Sequence, residues 1–168
     1  VLTLIDLIGP LFLLFPSDPP KCLSTTEELF SVNLARVSTS LTEAEPEHVL
    51  SVWTCRPVPG AQTYSLRAST GRYLSSDRLG VVTAEKEAIG PLEEWTPLLR
   101  QDGVVWQNAY GKFLTVDEET WTLRADADTI GFQQVWRIKC QEALRRERVK
   151  AEKATKAHTE KLQEAELM

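Results

Sequence analysis

An internal repeat constrains this chain more than any single motif. Residues 64–74 overlay residues 104–114 at an offset of 40, with Gly71-Arg72-Tyr73-Leu74 falling on Gly111-Lys112-Phe113-Leu114. Each block reads as an apolar run, a small polar turn, a glycine, a cation, an aromatic ring and a leucine. One residue is inserted after Asp77 and Asp117, and the match then resumes at Ala84 with Ala125, Ile89-Gly90 with Ile130-Gly131, and Trp95 with Trp136. Trp53 lies 42 residues before Trp95, which marks an earlier, less regular copy. Repeats near this length decide architecture, because each unit needs its neighbours to bury its apolar face.

In that first copy the apolar start is expected to form two strands, 2–8 and 11–15, joined by a turn at Gly9-Pro10. Residues 11–15 are read as the counterpart of the Tyr73-Leu74 strand and 29–32 as the next one, with a polar loop over 38–46 leading to Trp53. Each copy thus holds about four short strands separated by Gly, Asp, Ser or Pro turns. Propellers close with roughly four to eight blades, so three units do not make one. Three four-stranded units fit an all-β fold, a β-trefoil over residues 1–140. Gly71 and Gly111 suit hairpin turns that need positive φ, which a Cβ resists. Trp53, Tyr73, Leu74, Trp95, Phe113, Leu114 and Trp136 are the expected core, the three tryptophans being related by a pseudo-threefold axis.

Residues 141–168 differ in kind. They contain no Gly, Pro or aromatic residue, and Glu142 with Arg146 and Glu152 with Lys156 stand four apart in the order that supports a helix. The segment is read as a charged α-helical tail. Its apolar positions, Leu144, Val149, Leu162 and Leu167, keep no heptad, so a self-associating coiled coil is not expected. The formal charge of −5 divides into −6 before residue 141 and +1 after it, so the acidity belongs to the trefoil. A chain with that balance lacks the basic excess of an autonomous nucleic-acid binder. The apolar start is interrupted by Asp6, Gly9 and Pro10 and falls short of the roughly 20 residues of a spanning helix, so no membrane partner is expected. Val1 in place of an initiating methionine suggests a segment ahead of it.

Chemistry-bearing constellations are scarce. His48 sits in a loop and His158 in the tail, too far apart in kind for a metal cluster or a nucleophilic triad. Cys22, Cys55 and Cys140 form no CxxC pair and are odd in number, which points to a reducing compartment. Glu93 with Glu94 and Asp126 with Asp128 read as exposed polar positions before they read as acid–base pairs. The glycines are isolated turn residues with no phosphate-binding spacing. No catalytic residue, metal or cofactor is expected. Gln134-Val135-Trp136 has the QxW form of ricin-type trefoil lectins, but the other copies carry Glu93-Glu94-Trp95 and Ser51-Val52-Trp53, so a carbohydrate-binding module is a minor alternative. Cations recur after the turn glycine, at Arg72 and Lys112; with Arg67, Arg78, Lys86 and Arg124 they could line loops, and Trp121 is an unpaired ring available for stacking. The plain alternative is that these residues only solubilise the loops.

Residues 64–141 resemble a known family. Gly71-Arg72-Tyr73-Leu74, and above all the run from Glu87-Ala88-Ile89-Gly90-Pro91 to Glu94-Trp95-Thr96-Pro97, are similar to the facioscapulohumeral muscular dystrophy region gene one family, whose core is a fascin-like β-trefoil. The resemblance implies a non-enzymatic protein of the nucleus and nucleolus, associated with the spliceosome, pre-mRNA splicing and rRNA processing. It also implies an actin-bundling alternative in the cytoplasm, with F-actin as partner. Family members carry a Lys-rich extension that would attract RNA; none stands in this chain, so RNA contact is assigned to a basic extension outside it and spliceosomal proteins are the expected partners. Candidate partner or RNA contacts are Arg67, Arg72, Arg78, Lys86, Lys112 and Trp121 on the trefoil and Arg145, Arg146 and Arg148 on the tail.

Overall fold

A computed structural model describes residues 2–28, 30–140, 157–159, 161 and 163. Its strands follow the repeat. The first copy holds β1 (Gly9–Phe15), β2 (Lys21–Thr25), β3 (Val32–Arg36) and β4 (Trp53–Pro57). The second holds β5 (Tyr64–Ala68), β6 (Tyr73–Ser76), β7 (Val82–Lys86) and β8 (Thr96–Arg100). The third holds β9 (Gly103–Gln107), β10 (Phe113–Asp117), β11 (Thr122–Ala127) and β12 (Arg137–Cys140).

Outer strands of each copy build the barrel and inner strands build its cap. β1 pairs with both β4 and β12, β4 with β5, and β8 with β9, all antiparallel. Single bridges, Tyr64 to Trp95 and Val104 to Trp136, join the remaining neighbours. The hairpins β2–β3, β6–β7 and β10–β11 are stitched to one another where the Ala84 N–H donates to the Phe30 carbonyl (3.0 Å) and the Ala125 N–H to the Gly80 carbonyl (2.9 Å). This is the β-trefoil that the repeat requires.

Trp53, Trp95 and Trp136 are fully buried in one cluster with Leu23, Leu74 and Leu114. Each ring removes roughly 150–250 Å² from water, worth about 4–6 kcal/mol by area. The Trp53 and Trp95 indoles donate to the carbonyls of Leu23 and Leu74, both at 2.9 Å, whereas the buried Trp136 Nε1 has no hydrogen-bond partner. Two residues before each tryptophan a polar side chain is also buried. The Glu93 carboxylate accepts from the Ser75 hydroxyl (2.6 Å) and the Gly90 N–H (2.9 Å), Gln134 bonds Gly131 and Thr115, and Ser51 bonds Ser24. These bonds close the short 3₁₀ turn ahead of the last strand in the second and third copies.

The first copy departs from its sequence reading. Residues 2–8 do not form a strand: the buried Asp6 carboxylate accepts from the Thr3 N–H (2.8 Å), drawing the chain into a 3₁₀ turn over Ile5–Leu7. Gly9 and Pro10 open β1 and pair with Cys55 and Thr54. Residues 11–15 are a strand, but β1 corresponds to β5 and β9. The counterpart of the Tyr73-Leu74 strand is β2, where Lys21-Cys22-Leu23 falls on Arg72-Tyr73-Leu74 and Lys112-Phe113-Leu114. Pro16, Pro19 and Pro20 occupy the turn that the other copies build with glycine, which hides this register. The expected strand at 29–32 starts too early, because Phe30 is a turn residue and β3 begins at Val32.

Tyr73 is half-buried and lies outside the main cluster, with the Arg67 guanidinium 5.8 Å from its ring; the rest of the expected core is buried. Phe113 packs in a smaller cluster with Val105 and Val135. Residues 157–159, 161 and 163 are helical and exposed. Both tail charge pairs lie outside the described residues, as do Arg145, Arg146 and Arg148. Among the described residues no helix is long and apolar enough to cross a membrane.

Candidate functional site

The recurring cations form a threefold set with a member that sequence reasoning missed. Arg72 and Lys112 immediately precede, and Lys21 opens, the second strand of a copy. The Arg72 guanidinium lies 3.8 Å from the centroid of the Phe30 ring, and Lys21 Nζ lies 4.4 Å from that of Trp121. Each cation thus covers an aromatic residue in the hairpin turn of the neighbouring copy. The equivalent turn of the second copy carries Gly80, which offers no ring, and Lys112 pairs with Asp128.

Those turn residues explain the pattern. Phe30, Gly80 and Trp121 are equivalent, and all have left-handed backbones, with φ of 49°, 85° and 55°. Glycine adopts this region freely; a residue with a Cβ does so at about 1–2 kcal/mol. Trp121 is held there by its N–H, which donates to the Asp117 carbonyl (2.7 Å), while Asp117 Oδ1 accepts from the Glu119 N–H (2.9 Å). Its ring meets Phe15 edge-on at 6.3 Å, and Phe132 meets the same Phe15 ring at 5.4 Å. Trp121 stays 37% exposed and Phe132 54% exposed. Around the half-buried Lys21 they make an aromatic surface between the third and first copies. Trp121 was legible in the sequence as an unpaired ring, but its equivalence to Gly80 was not, because the one-residue insertion after Asp117 obscures that alignment.

The other expected contacts do not gather into one basic patch. Arg67, Tyr73 and Lys86 lie side by side across β5, β6 and β7, but Arg67 Nε donates to the Gly71 carbonyl (3.2 Å) and Arg72 pairs with Glu87 (3.0 Å). Arg78 is exposed on the Gly80 turn, and Arg124 pairs with Asp126 (2.6 Å) while also donating to the Leu79 carbonyl. The threefold axis therefore spreads the cations around the trefoil, and Arg72, Lys112 and Arg124 each stand beside a carboxylate. Gln134 of the QxW form accepts from the Gly131 N–H and donates to the Thr115 hydroxyl, so this buried amide serves to close the turn. Cys22, Cys55 and Cys140 are buried and none is in a disulfide; burial pushes the Cys55 thiol up to about 12 and also raises Cys22, so neither of these two is a nucleophile at neutral pH.

The FRG1-like domain matches residues 34–168, most of the chain. The chain belongs to the FRG1-like family. Among curated proteins, the Protein FRG1 homolog of Drosophila melanogaster is 22% identical over 95 residues, covering 56% of this chain and 35% of the fly protein. The chain therefore spans about a third of that relative's length. Solved structures agree on the fold: the designed threefold-symmetric protein ThreeFoil superposes with a TM-score of 0.58 at 19% identity, over 76% of this chain and 96% of its own. Cry35Ab1 gives 0.62 at 14% identity, over 80% of this chain and 36% of its own. SeviL, solved with a bound asialo-GM1 saccharide, gives 0.59 at 9% identity, over 79% and 98% of the two chains. At these identities the likeness is one of fold, and FRG1-like membership rests on the sequence match.

Proposed function

We propose that this FRG1-like chain is a non-enzymatic docking module of nuclear ribonucleoprotein particles, acting with spliceosomal proteins in pre-mRNA splicing and, in the nucleolus, in rRNA processing. Family membership supports the setting. One observation carries the docking reading: Trp121 is kept in a left-handed turn where the second copy uses glycine, with its ring exposed near Phe132. Backbone strain retained at an exposed aromatic residue marks a surface selected for contact. Protein is favoured over nucleic acid as the partner of this face because Lys21 is engaged with the Trp121 ring and Arg124, on the same hairpin, with Asp126, leaving little unpaired positive charge for phosphates. RNA contact then falls to basic segments outside the described trefoil.

Affinity purification from nuclear extract tests this, with the chain as bait beside Trp121→Gly and a deletion of residues 141–168. Late spliceosomal components are expected with the intact chain, with recovery reduced several-fold by either change. Actin without splicing proteins would overturn the reading in favour of F-actin bundling, which needs two filament-binding surfaces on one particle. Filament co-sedimentation at low salt measures that competing activity directly.

A further inference from the structure

The first copy alone has a long connection to its tryptophan, residues 37–52, where the others use 87–94 and 128–135. Val37 and Ala44 bury their side chains against Phe12, Leu14 and Cys22, and Lys139 Nζ donates to the carbonyls of Thr42 (2.8 Å) and Ala44. This holds the loop at the edge of a groove of about 850 Å³ whose lining includes Thr42, Leu99, Arg100, Arg137 and Lys139. Three cations thus meet on one groove of an acidic trefoil. Asp102 is the carboxylate of that lining, and Arg100 (3.1 Å), with Arg137 beyond it, holds its carboxyl below the usual range.

Thr42 brings two further properties to this edge. It is exposed, in a turn closed by the Glu43 N–H donating to the Ser40 carbonyl (3.1 Å). It is also followed by Glu43, Glu45 and Glu47, so carboxylates stand one, three and five residues after the hydroxyl. Kinases select substrates by charge pattern, and a basic substrate cleft favours this one. Ser38, by contrast, already donates its hydroxyl to Glu47.

We propose that Thr42 is a phosphorylation site for a protein kinase that selects acidic residues after its acceptor, and that the groove cations Arg137 and Lys139 hold the phosphate. The phosphoryl donor is Mg²⁺-ATP: Thr42 Oγ1 bonds the γ-phosphorus, the bond from that phosphorus to the β,γ-bridging oxygen breaks, ADP leaves, and the hydroxyl proton passes to the kinase's base. The product adds about −1.5 to −2 charge at pH 7 beside the two cations, which ties the loop more firmly across the groove. The inference is independent of the docking surface at Trp121.

The full chain is incubated with an acid-directed Ser/Thr kinase and Mg²⁺-ATP, and the product is mapped by peptide mass spectrometry. Phosphate is expected on Thr42, lost in Thr42→Ala, retained in Thr42→Ser, and incorporated at least about tenfold more slowly when Glu43 and Glu45 are both changed to Gln. In a ³¹P NMR pH titration, the Thr42 phosphate should lose its second proton at lower pH than in a free phosphopeptide of residues 37–48, and Arg137→Gln should move it toward the peptide. Phosphate on Ser38 or Ser40 in place of Thr42, or no incorporation, overturns the site. Coincident titrations of protein and peptide overturn the role of the cations.

Discussion

Substituting phenylalanine for tryptophan at positions 95 and 136 separates what a buried indole N–H contributes from what its ring contributes. Both rings are fully buried at equivalent places. Removing half of the bicyclic ring costs on the order of 1–2 kcal/mol at either site, through lost transfer energy and the cavity left behind. The N–H differs. Trp95 Nε1 donates to the Leu74 carbonyl, which lies in a bulge between Tyr73 and Ser75 where the β6–β7 register shifts, so Trp95→Phe strands a buried acceptor at a further cost of about 1–3 kcal/mol. Trp136 Nε1 has no partner, so Trp136→Phe removes an unsatisfied buried donor and recovers part of its ring cost. Trp95→Phe should therefore destabilise the chain by at least about 2 kcal/mol more than Trp136→Phe, with equal m-values, in urea unfolding followed by circular dichroism. The ranking rests on a difference between matched sites, which tolerates error in the common term. Costs within about 0.5 kcal/mol of each other, or in reverse order, would refute the hydrogen-bond account of the core.

A Cβ at Gly80 would stand 2.7 Å from the Asp126 Cβ at φ +85°, whereas Gly111, at φ +76°, meets only Gln107 Nε2 at 3.7 Å. Gly80→Ala should cost more than Gly111→Ala, which should lose only about 1–2 kcal/mol for its left-handed backbone; thermal unfolding of the two variants gives the order. The Cys55 thiol titrates near 12 when folded, against its ordinary 9.0, so unfolding releases its proton between those values. Its contribution is complete below pH 9 and is lost as pH rises toward 12, by about 1.4 kcal/mol per unit, so Cys55→Ala should flatten the alkaline fall in stability measured by urea titration. Trp121→Gly should leave stability within about 1 kcal/mol of the parent chain while reducing partner recovery several-fold; a large loss of stability would show the ring to be structural.

The second and third copies were legible because the same residue types perform the same tasks in both. Gly71 and Gly111 supply positive φ, Arg72 and Lys112 follow them, and Leu74 and Leu114 fill the core. The first copy resisted reading because its turns solve the same geometry with other residues: prolines replace the glycine before Lys21, and Phe30 takes the position of Gly80. The partners of the cations were beyond the sequence for a related reason. Phe30 meets Arg72, and Trp121 meets Lys21, only once the threefold axis has set one copy's hairpin turn beside the next copy's second strand.

That geometry also shows why Trp121 and function are coupled. Its left-handed backbone costs about 1–2 kcal/mol. The Lys21 contact returns about 0.5–1 kcal/mol and the edge-on contact with Phe15 about 0.5–1.5 kcal/mol, so the two sides nearly cancel. A tryptophan that is close to neutral for folding, yet held rigidly with more than a third of its surface in solvent, contributes little to the trefoil that a glycine would not. Its remaining asset is an immobilised ring, which a partner can bury without the entropic cost of ordering it.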